Sequence, residues 1–312
     1  MSDQQSRRRA ISSNSQRTFT QSRYAGAMHS VAQQARPKLH RAKLVLVVML
    51  FLALATHITW TKHVAAENLA AQRVAAAAAA EAKGKSDLFN DQVTSLLAES
   101  SDDTISVVAA SNTTPLHNLG SSGSFDGAST GKLLTAADFL KHVEHHTASL
   151  QQVIDGTPAS VWLQRMIVNS DNQAWYELNT YLTHQDLAAY AQSIGFINYD
   201  PDTNTFTALD MARLVQKLYD GSLLNAAHRS LLLNDMKQAN YRQYIVAAVP
   251  STDTVYHKIG FDGDTINDVA IITNGSKYVV LSIYTNGNGT YDHDQRTELI
   301  HEITKDAIAA YL

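Results

Sequence analysis

The chain has 312 residues and a formal net charge of −4, and the charge is uneven: residues 1–85 sum to +10 and residues 86–312 to −14. The acidic part repels phosphate backbones, so no nucleic-acid partner is expected. The sequence contains no cysteine, which excludes disulfides, thiolate metal sites, a thiol nucleophile and a lipidated amino-terminal cysteine.

Residues 1–43 carry nine Lys or Arg against one acid and are rich in Ser and Gln, the composition of a disordered basic tail. Residues 44–61, LVLVVMLFLALATHITWT, lie between Lys43 and Lys62 with no acid or base except His57. At the helical rise of about 1.5 Å per residue this span covers roughly 27 Å, enough for a thin hydrocarbon core. Trp60 stands where an interfacial aromatic belongs, and the basic tail places the amino end in the cytoplasm by the positive-inside rule. The charged region is too long for an ordinary signal peptide, so the span reads as a retained single-pass anchor in the cell membrane. Residues 62–85, with the run Ala75 to Ala80, read as a helical or flexible stalk.

A folded domain is expected over residues 86–312, outside the cytoplasm. SDLFNDQVTSLLAES places Leu88, Val93, Leu96 and Leu97 near helical spacing, with Ser86 or Asp87 as the expected cap. TISVVAA (104–110) reads as a buried strand, followed by a turn around Asn112 and Pro115. Helical patterns run from near Ser129 to about residue 246. Strands then return in TVYHKIGF, DVAIITN and KYVVLSIYTN, the last two separated by a turn at Gly275. A closing helix sets Leu299, Ile303, Ala307 and Tyr311 on one face. The order is that of an α+β fold in which both terminal helices cover one face of an antiparallel sheet and a helical subdomain is inserted.

Of the twelve lysines, Lys132 alone has a serine three positions before it, Ser129. Residues i and i+3 share a helix face, so the Lys132 amine can lie beside the Ser129 hydroxyl. A serine hydroxyl is a poor nucleophile until a neighbouring base takes its proton. Ser170-Asp171-Asn172 follows forty-one residues after Ser129, and Lys258 with Gly260 follows on a predicted strand. In this order S-x-x-K, S-D-N and K-x-G form the motif set of class A β-lactamases and penicillin-binding proteins. ASTGKL, RMIVNSDNQAWYEL, TALDMARLVQKLYDGSLL and NDVAIITNGSKYVVLSIYTNG resemble the corresponding segments of that superfamily, over about residues 87–312.

The resemblance implies a β-lactamase/transpeptidase-like fold and a serine hydrolase working through an acyl-serine intermediate on β-lactams or the peptidoglycan peptides they mimic, with no cofactor or metal. Ser129 would be the nucleophile, Lys132 its base, and Ser170 a relay of the proton toward the leaving nitrogen. Asn172, Lys258, Gly260 and Phe261 would bind substrate, the backbone N–H groups of Ser129 and Phe261 forming the oxyanion hole. Two departures stand out. Ile259 replaces the usual hydroxyl residue of the third motif. No glutamate occurs between Glu177 and Glu298, where class A enzymes carry the base that releases the acyl group. Asp200 and Asp202 are the only carboxylates in the short segment FINYDPDTNTF, so slow deacylation is expected. A D,D-peptidase-like hydrolase and an inactive module that binds cell-wall peptide or a partner are the alternatives.

Other signals read as structural. DPDTN lacks the Gly and Glu of a calcium loop and reads as an acid-rich turn. His142, His145 and His146 have no acid at ligand spacing and read as a polar helix end. Tyr241 and Tyr244 read by default as core or surface packing, with the cleft wall as the alternative.

Overall fold

The computed structural model describes residues 36–312; the basic tail expected over residues 1–43 lies mostly outside them. The chain divides into two units, residues 1–73 and 74–312, each described by itself.

The first unit is the amino-terminal part of α1 (Arg36–Glu99). This helix holds an eighteen-residue window of mean hydropathy 2.1, long and apolar enough to cross a membrane. Leu44, Met49, Leu50, Phe51 and Trp60 are each more than 60% exposed, so nothing among the described residues covers the apolar run. The expected cap at Ser86 or Asp87 is absent because α1 runs through both residues without a break. Alanine is the best helix former, and alanine is the commonest residue of the stalk, so one glycine at 84 does not end the helix.

The second unit follows in chain order: β1 (Thr104–Ser111), β2 (His117–Gly120), β3 (Phe125–Asp126), a 3-10 turn (Ala128–Gly131) and α2 (Lys132–Glu144). Then come β4 (Val153–Ile154), β5 (Thr157–Pro158), α3 (Ala159–Val168), α4 (Asn172–Ser193) and β6 (Thr205–Phe206). α5 (Ala208–Asp220), α6 (Ala226–Lys237), β7 (Thr254–Asp262), β8 (Thr265–Thr273), β9 (Tyr278–Asn286) and α7 (His293–Tyr311) complete it.

Five strands form one antiparallel sheet in the order β2-β1-β9-β8-β7. Successive side chains point to opposite faces, and the two faces feed separate cores. Val107, Ala109, Ile272, Leu281 and Ile283 pack with Phe89 and Val93 of α1 and with Leu299, Ile300, Ile303 and Ala307 of α7. Val108, Ala110, Val269, Ile271, Val280 and Tyr284 face a second core built from α2 to α6. β8 lies between β7 and β9, and all nine of its residues are buried, the polar Asn267 and Asp268 among them.

Local chemistry ends the helices where the site requires it. Thr207 and Asp210 form a reciprocal capping box at the start of α5, and Gly221 closes it at φ +84°. Asp171 caps α4 by accepting from Gln173 N and Ala174 N. α4 breaks at Thr183, whose φ of 63° and ψ of 152° are not helical.

Ile303 is fully buried between α7 and the sheet. Ile303→Ala is expected to cost about 2–5 kcal/mol, the usual range for a large-to-small change in a core. Urea unfolding of the full chain in detergent micelles checks this; a loss below about 0.5 kcal/mol would contradict the packing of α7 described here.

Candidate active site

Ser129 occupies the 3-10 turn that leads directly into α2, so Lys132 at the first position of α2 points back along the same face. Several elements hold the turn in place. Thr130 Oγ1 donates to Gly127 O at 2.6 Å and lies 2.5 Å from the buried Tyr284 hydroxyl of β9. Ala128, at φ 43°, is secured by its N–H donating to Asp126 Oδ1 at 2.8 Å. Asn267 of β8 donates to Asp126 O at 2.8 Å. The loop before β6 clasps the turn from the other side: Asn204 Nδ2 donates to Ala128 O at 2.9 Å, and Gly127 N donates to Asn204 O at 2.9 Å.

β7 is an edge strand, and Gly260 is where it passes closest to the turn. A Cβ at Gly260 would meet Gly127 O at 2.6 Å and Ser129 N at 3.1 Å. Only glycine allows this approach.

The structure brings the sequence-predicted residues together. Lys132 Nζ donates to Ser129 Oγ at 2.6 Å and to Asn172 Oδ1 at 2.7 Å. Lys258 Nζ donates to Ser170 Oγ at 2.8 Å and to Ile259 O at 3.0 Å. Each buried amine therefore addresses one serine hydroxyl. Ser170 sits at φ 56°, a left-handed conformation at the turn between α3 and α4. Asp171 does not face the cleft as a base; it caps α4 and pairs with Arg165 through Nε at 2.8 Å.

Both lysines are almost fully buried, at 1% and 2% exposure. Burial lowers Lys132 from an ordinary 10.5 to about 8, against the opposing pull of the Asp171 carboxylate. Burial lowers Lys258 to about 7, helped by the positive Lys132 and opposed by Asp268. A partly neutral amine 2.6 Å from a serine oxygen is able to accept its proton.

The short pattern search missed the residues that orient Lys132. The Trp175 ring centroid lies 4.9 Å from Lys132 Nζ. Trp175 Nε1 donates to Thr135 Oγ1 at 3.0 Å, and Thr135 Oγ1 donates to Asn179 Oδ1 at 2.7 Å. Trp175 and Asn179 stand three and seven residues after Asn172, so their common helical face was the signal. Asn204 was read only as part of an acid-rich turn, and its clasp on the serine turn links residues 76 apart.

Two cavities meet at Ser129. One, of about 830 Å³, includes Lys132, Asn172, Trp175, Asn179, Asp202 and Asn204 in its wall. The other, of about 490 Å³, includes Ser170, Tyr241, Tyr244, Ile259 and Phe261. Tyr241 and Tyr244 are thus cleft residues. Of the histidines set aside as a polar helix end, His142 has local partners, Nδ1 lying 2.9 Å from Thr147 Oγ1 and Nε2 3.7 Å from Asp138 Oδ1, an acid four residues earlier that the sequence reading overlooked, while His145 and His146 are exposed.

The sequence profile of the beta-lactamase enzyme family matches residues 88–311. This chain belongs to that family. Solved structures share its fold. The class A β-lactamase of the reconstructed last common ancestor of Gram-negative bacteria is 23% identical, with a TM-score of 0.64 over 70% of this chain and 98% of that one. PBP-A is 22% identical, with a TM-score of 0.63 over 70% of this chain and 93% of that one. A PBP-A variant, seen as its acyl-enzyme complex with penicillin G, is also 22% identical, with a TM-score of 0.64 over 70% and 94% of the two chains. No curated protein matches the chain.

An amine whose pKa is depressed by folding sheds its proton as the chain folds. Its contribution therefore weakens stability as pH falls toward the folded pKa and relieves it as pH rises toward the unfolded value. With Lys132 at about 8 and Lys258 at about 7, stability is expected to rise between about pH 7.5 and about pH 9.5. Asp138 and Asp235, raised by burial to about 7 and about 6, act at lower pH. Urea unfolding across that window tests this. The slope is expected to fall in Lys258→Met, and an unchanged slope there would contradict the assignment.

Proposed function

We propose that this chain is a membrane-anchored serine hydrolase in which Ser129 is acylated by β-lactams or by the cell-wall peptides they mimic. The observation that carries the reading is the 2.6 Å contact between Ser129 Oγ and a buried, depressed Lys132 amine. The penicillin G acyl-enzyme of a PBP-A variant on the same fold supports the substrate class.

In this reading the neutral Lys132 amine, roughly a tenth of the population at pH 7 if its pKa is about 8, takes the Ser129 proton as Oγ attacks the carbonyl carbon. Backbone N–H groups of Ser129 and Phe261 receive the developing oxyanion, and Gly260 permits the two backbones to come close enough. Ser170, hydrogen-bonded to Lys258, passes a proton to the leaving nitrogen. Asn172 accepts from Lys132 and lines both cavities, so it positions the amine and meets the substrate.

Release of the acyl group is the slow half. Hydrolysis of an acyl-serine ester needs a correctly placed deprotonated water, and general-base help is worth typically about 10²–10⁴-fold. Both carboxylates of the short segment FINYDPDTNTF have local partners, one within the loop and one on α4. Asp200 Oδ1 accepts from Asp202 N at 2.9 Å, and Asp202 Oδ1 lies 2.8 Å from His184 Nδ1. This favours long-lived adducts and keeps a D,D-peptidase-like hydrolase as the second reading.

The anchor is the apolar run of α1, with the basic tail in the cytoplasm and the domain of residues 86–312 outside. Protease added to intact spheroplasts is expected to digest that domain. Full protection would contradict the topology.

Intact-protein mass after incubation with penicillin G tests the chemistry. Ser129→Ala is expected to abolish the adduct, and Lys132→Ala to slow its formation by several orders of magnitude, the scale for losing one member of a catalytic unit. An adduct mapped to Ser170, or undiminished labelling in Ser129→Ala, overturns the assignment.

The same adduct is expected to decay slowly after a burst, and Asp200→Asn or Asp202→Asn to change that decay by less than about threefold. If either substitution traps an otherwise short-lived adduct, the loop holds a working base and release is efficient.

A further inference from the structure

β7 carries two titratable residues in succession, and alternation along the strand sends one to each face of the sheet. Lys258 reaches the cleft, where its amine donates to Ser170 Oγ and Ile259 O. His257 lies on the other face, with Val255 and Ile259, and is fully buried. Next to it on β8 is Asp268, also fully buried and in register with Ile259. A carboxylate without exposure is costly unless it is hydrogen-bonded and paired. Asp268 Oδ2 accepts from Ile245 N at 3.1 Å, and Oδ1 lies 3.4 Å from His257 Nδ1.

His257 does not supply the balancing charge. Its Nε2 has no partner among the described residues. An imidazolium would bury an N–H there with nothing to accept it, and so would the tautomer with its proton on Nε2. The ring is therefore neutral and donates through Nδ1, and Asp268, an acceptor at both oxygens, is ionised. On α7, Arg296 is turned to Asp264 O, Thr285 Oγ1 and Thr290 O, and His301 Nε2 lies 2.8 Å from Gln243 O. Asp294, Glu298 and Glu302 of the same helix are exposed. Burial raises the hydroxyls of Tyr244 and Tyr284 and keeps them neutral. On the cleft face Asp171 is paired with Arg165, and Asp235 of α6 is raised by burial to about 6 with no cation acting on it. The cation left for Asp268 is Lys258 on the adjacent strand. Burial and Lys132 lower that amine, and Asp268 is the charge that opposes them.

We propose that Asp268 is a positioning residue for acylation: ionised on the far face of the sheet, it keeps the Lys258 amine protonated and so sets the direction in which Ser170 donates. The inference rests on Ser129 as the acylated residue and Ser170 as the proton relay. An ammonium has donors only, so Ser170 Oγ accepts from it and the Ser170 O–H is left for the cleft. A neutral amine offers a lone pair that draws that O–H away. In the acylation step the bond from Ser129 Oγ to the acyl carbon forms and the bond from that carbon to the leaving nitrogen breaks. Ser170 gives its proton to the nitrogen and is resupplied with the one Lys132 took from Ser129. Lys258 ends the step charged, as it began.

Asp268→Asn removes the charge and keeps an oxygen for Ile245 N. Side-chain nitrogen NMR of the full chain in detergent micelles reads Lys258, and mass-detected labelling of Ser129 by penicillin G, from about pH 5.5 to about pH 9, reads acylation. In Asp268→Asn the Lys258 titration is expected to fall by about one unit, the low end of what an opposite charge produces, and the alkaline limb of labelling to move with it. Labelling then drops about tenfold at about pH 8 and stays within about twofold at about pH 5.5. A Lys258 titration unmoved in folded Asp268→Asn overturns the inference, and so does an equal loss of labelling at every pH, the mark of a merely structural role. If Asp268→Asn does not fold, Lys258→Met/Asp268→Asn is expected to fold, because the charge that needed Asp268 is gone. Failure of the double variant as well overturns the pairing. If penicillin G leaves Ser129 unlabelled in the unaltered chain, the serine reading fails and the role of Asp268 in acylation falls with it, even where the Lys258 titration moves as expected.

Discussion

Two amines buried within one cleft are the constraint on which the rest of this domain depends. Taking a charge out of water is costly, and two like charges near each other raise the cost further. The fold lowers it by giving each amine two short hydrogen bonds and by setting Asp171 near Lys132 and Asp268 near Lys258. The Trp175 ring adds a face on which the Lys132 charge is favoured. What remains is a pair of depressed pKa values, and these are what make the serine hydroxyls chemically useful. Stability is given up locally for a base poised near neutral pH.

The surrounding architecture holds this pair against relaxation. Ser129 lies on a turn pinned from three directions: by Tyr284 on β9, by Asn267 on β8 and by Asn204 from the loop before β6. Gly260 brings β7 against the same turn, and with it Lys258, two residues earlier on the same face of the strand. Two cavities meet at this turn, one with Lys132 in its wall and the other with Ser170.

Much of this was legible in the residue order. Ser129 and Lys132 are three apart where the 3-10 turn runs into α2, and the final three strands carry the apolar residues that paired strands need. The contacts that escaped are those linking distant segments of weak local signal. HNLG, residues 117–120, has neither length nor alternation, and becomes β2 because β1 presents a free edge to it. Asn204 reads as a turn residue because nothing near it in sequence names Ala128 as its partner. The expected cap at Ser86 or Asp87 failed for the opposite reason: helix propensity across the alanine stalk outweighs a local capping residue. Ile259 was visible in the sequence as a departure from the third motif.

Nitrogen NMR of side-chain-labelled lysine, titrated in the full chain with Lys132 and Lys258 assigned by substitution, addresses the central constraint directly. Titration of both amines well below the ordinary 10.5, Lys132 near about 8 and Lys258 near about 7, is the expected result. Both amines titrating above about 10 would contradict it, because neither could then serve as a base or lie in the dry cleft described here.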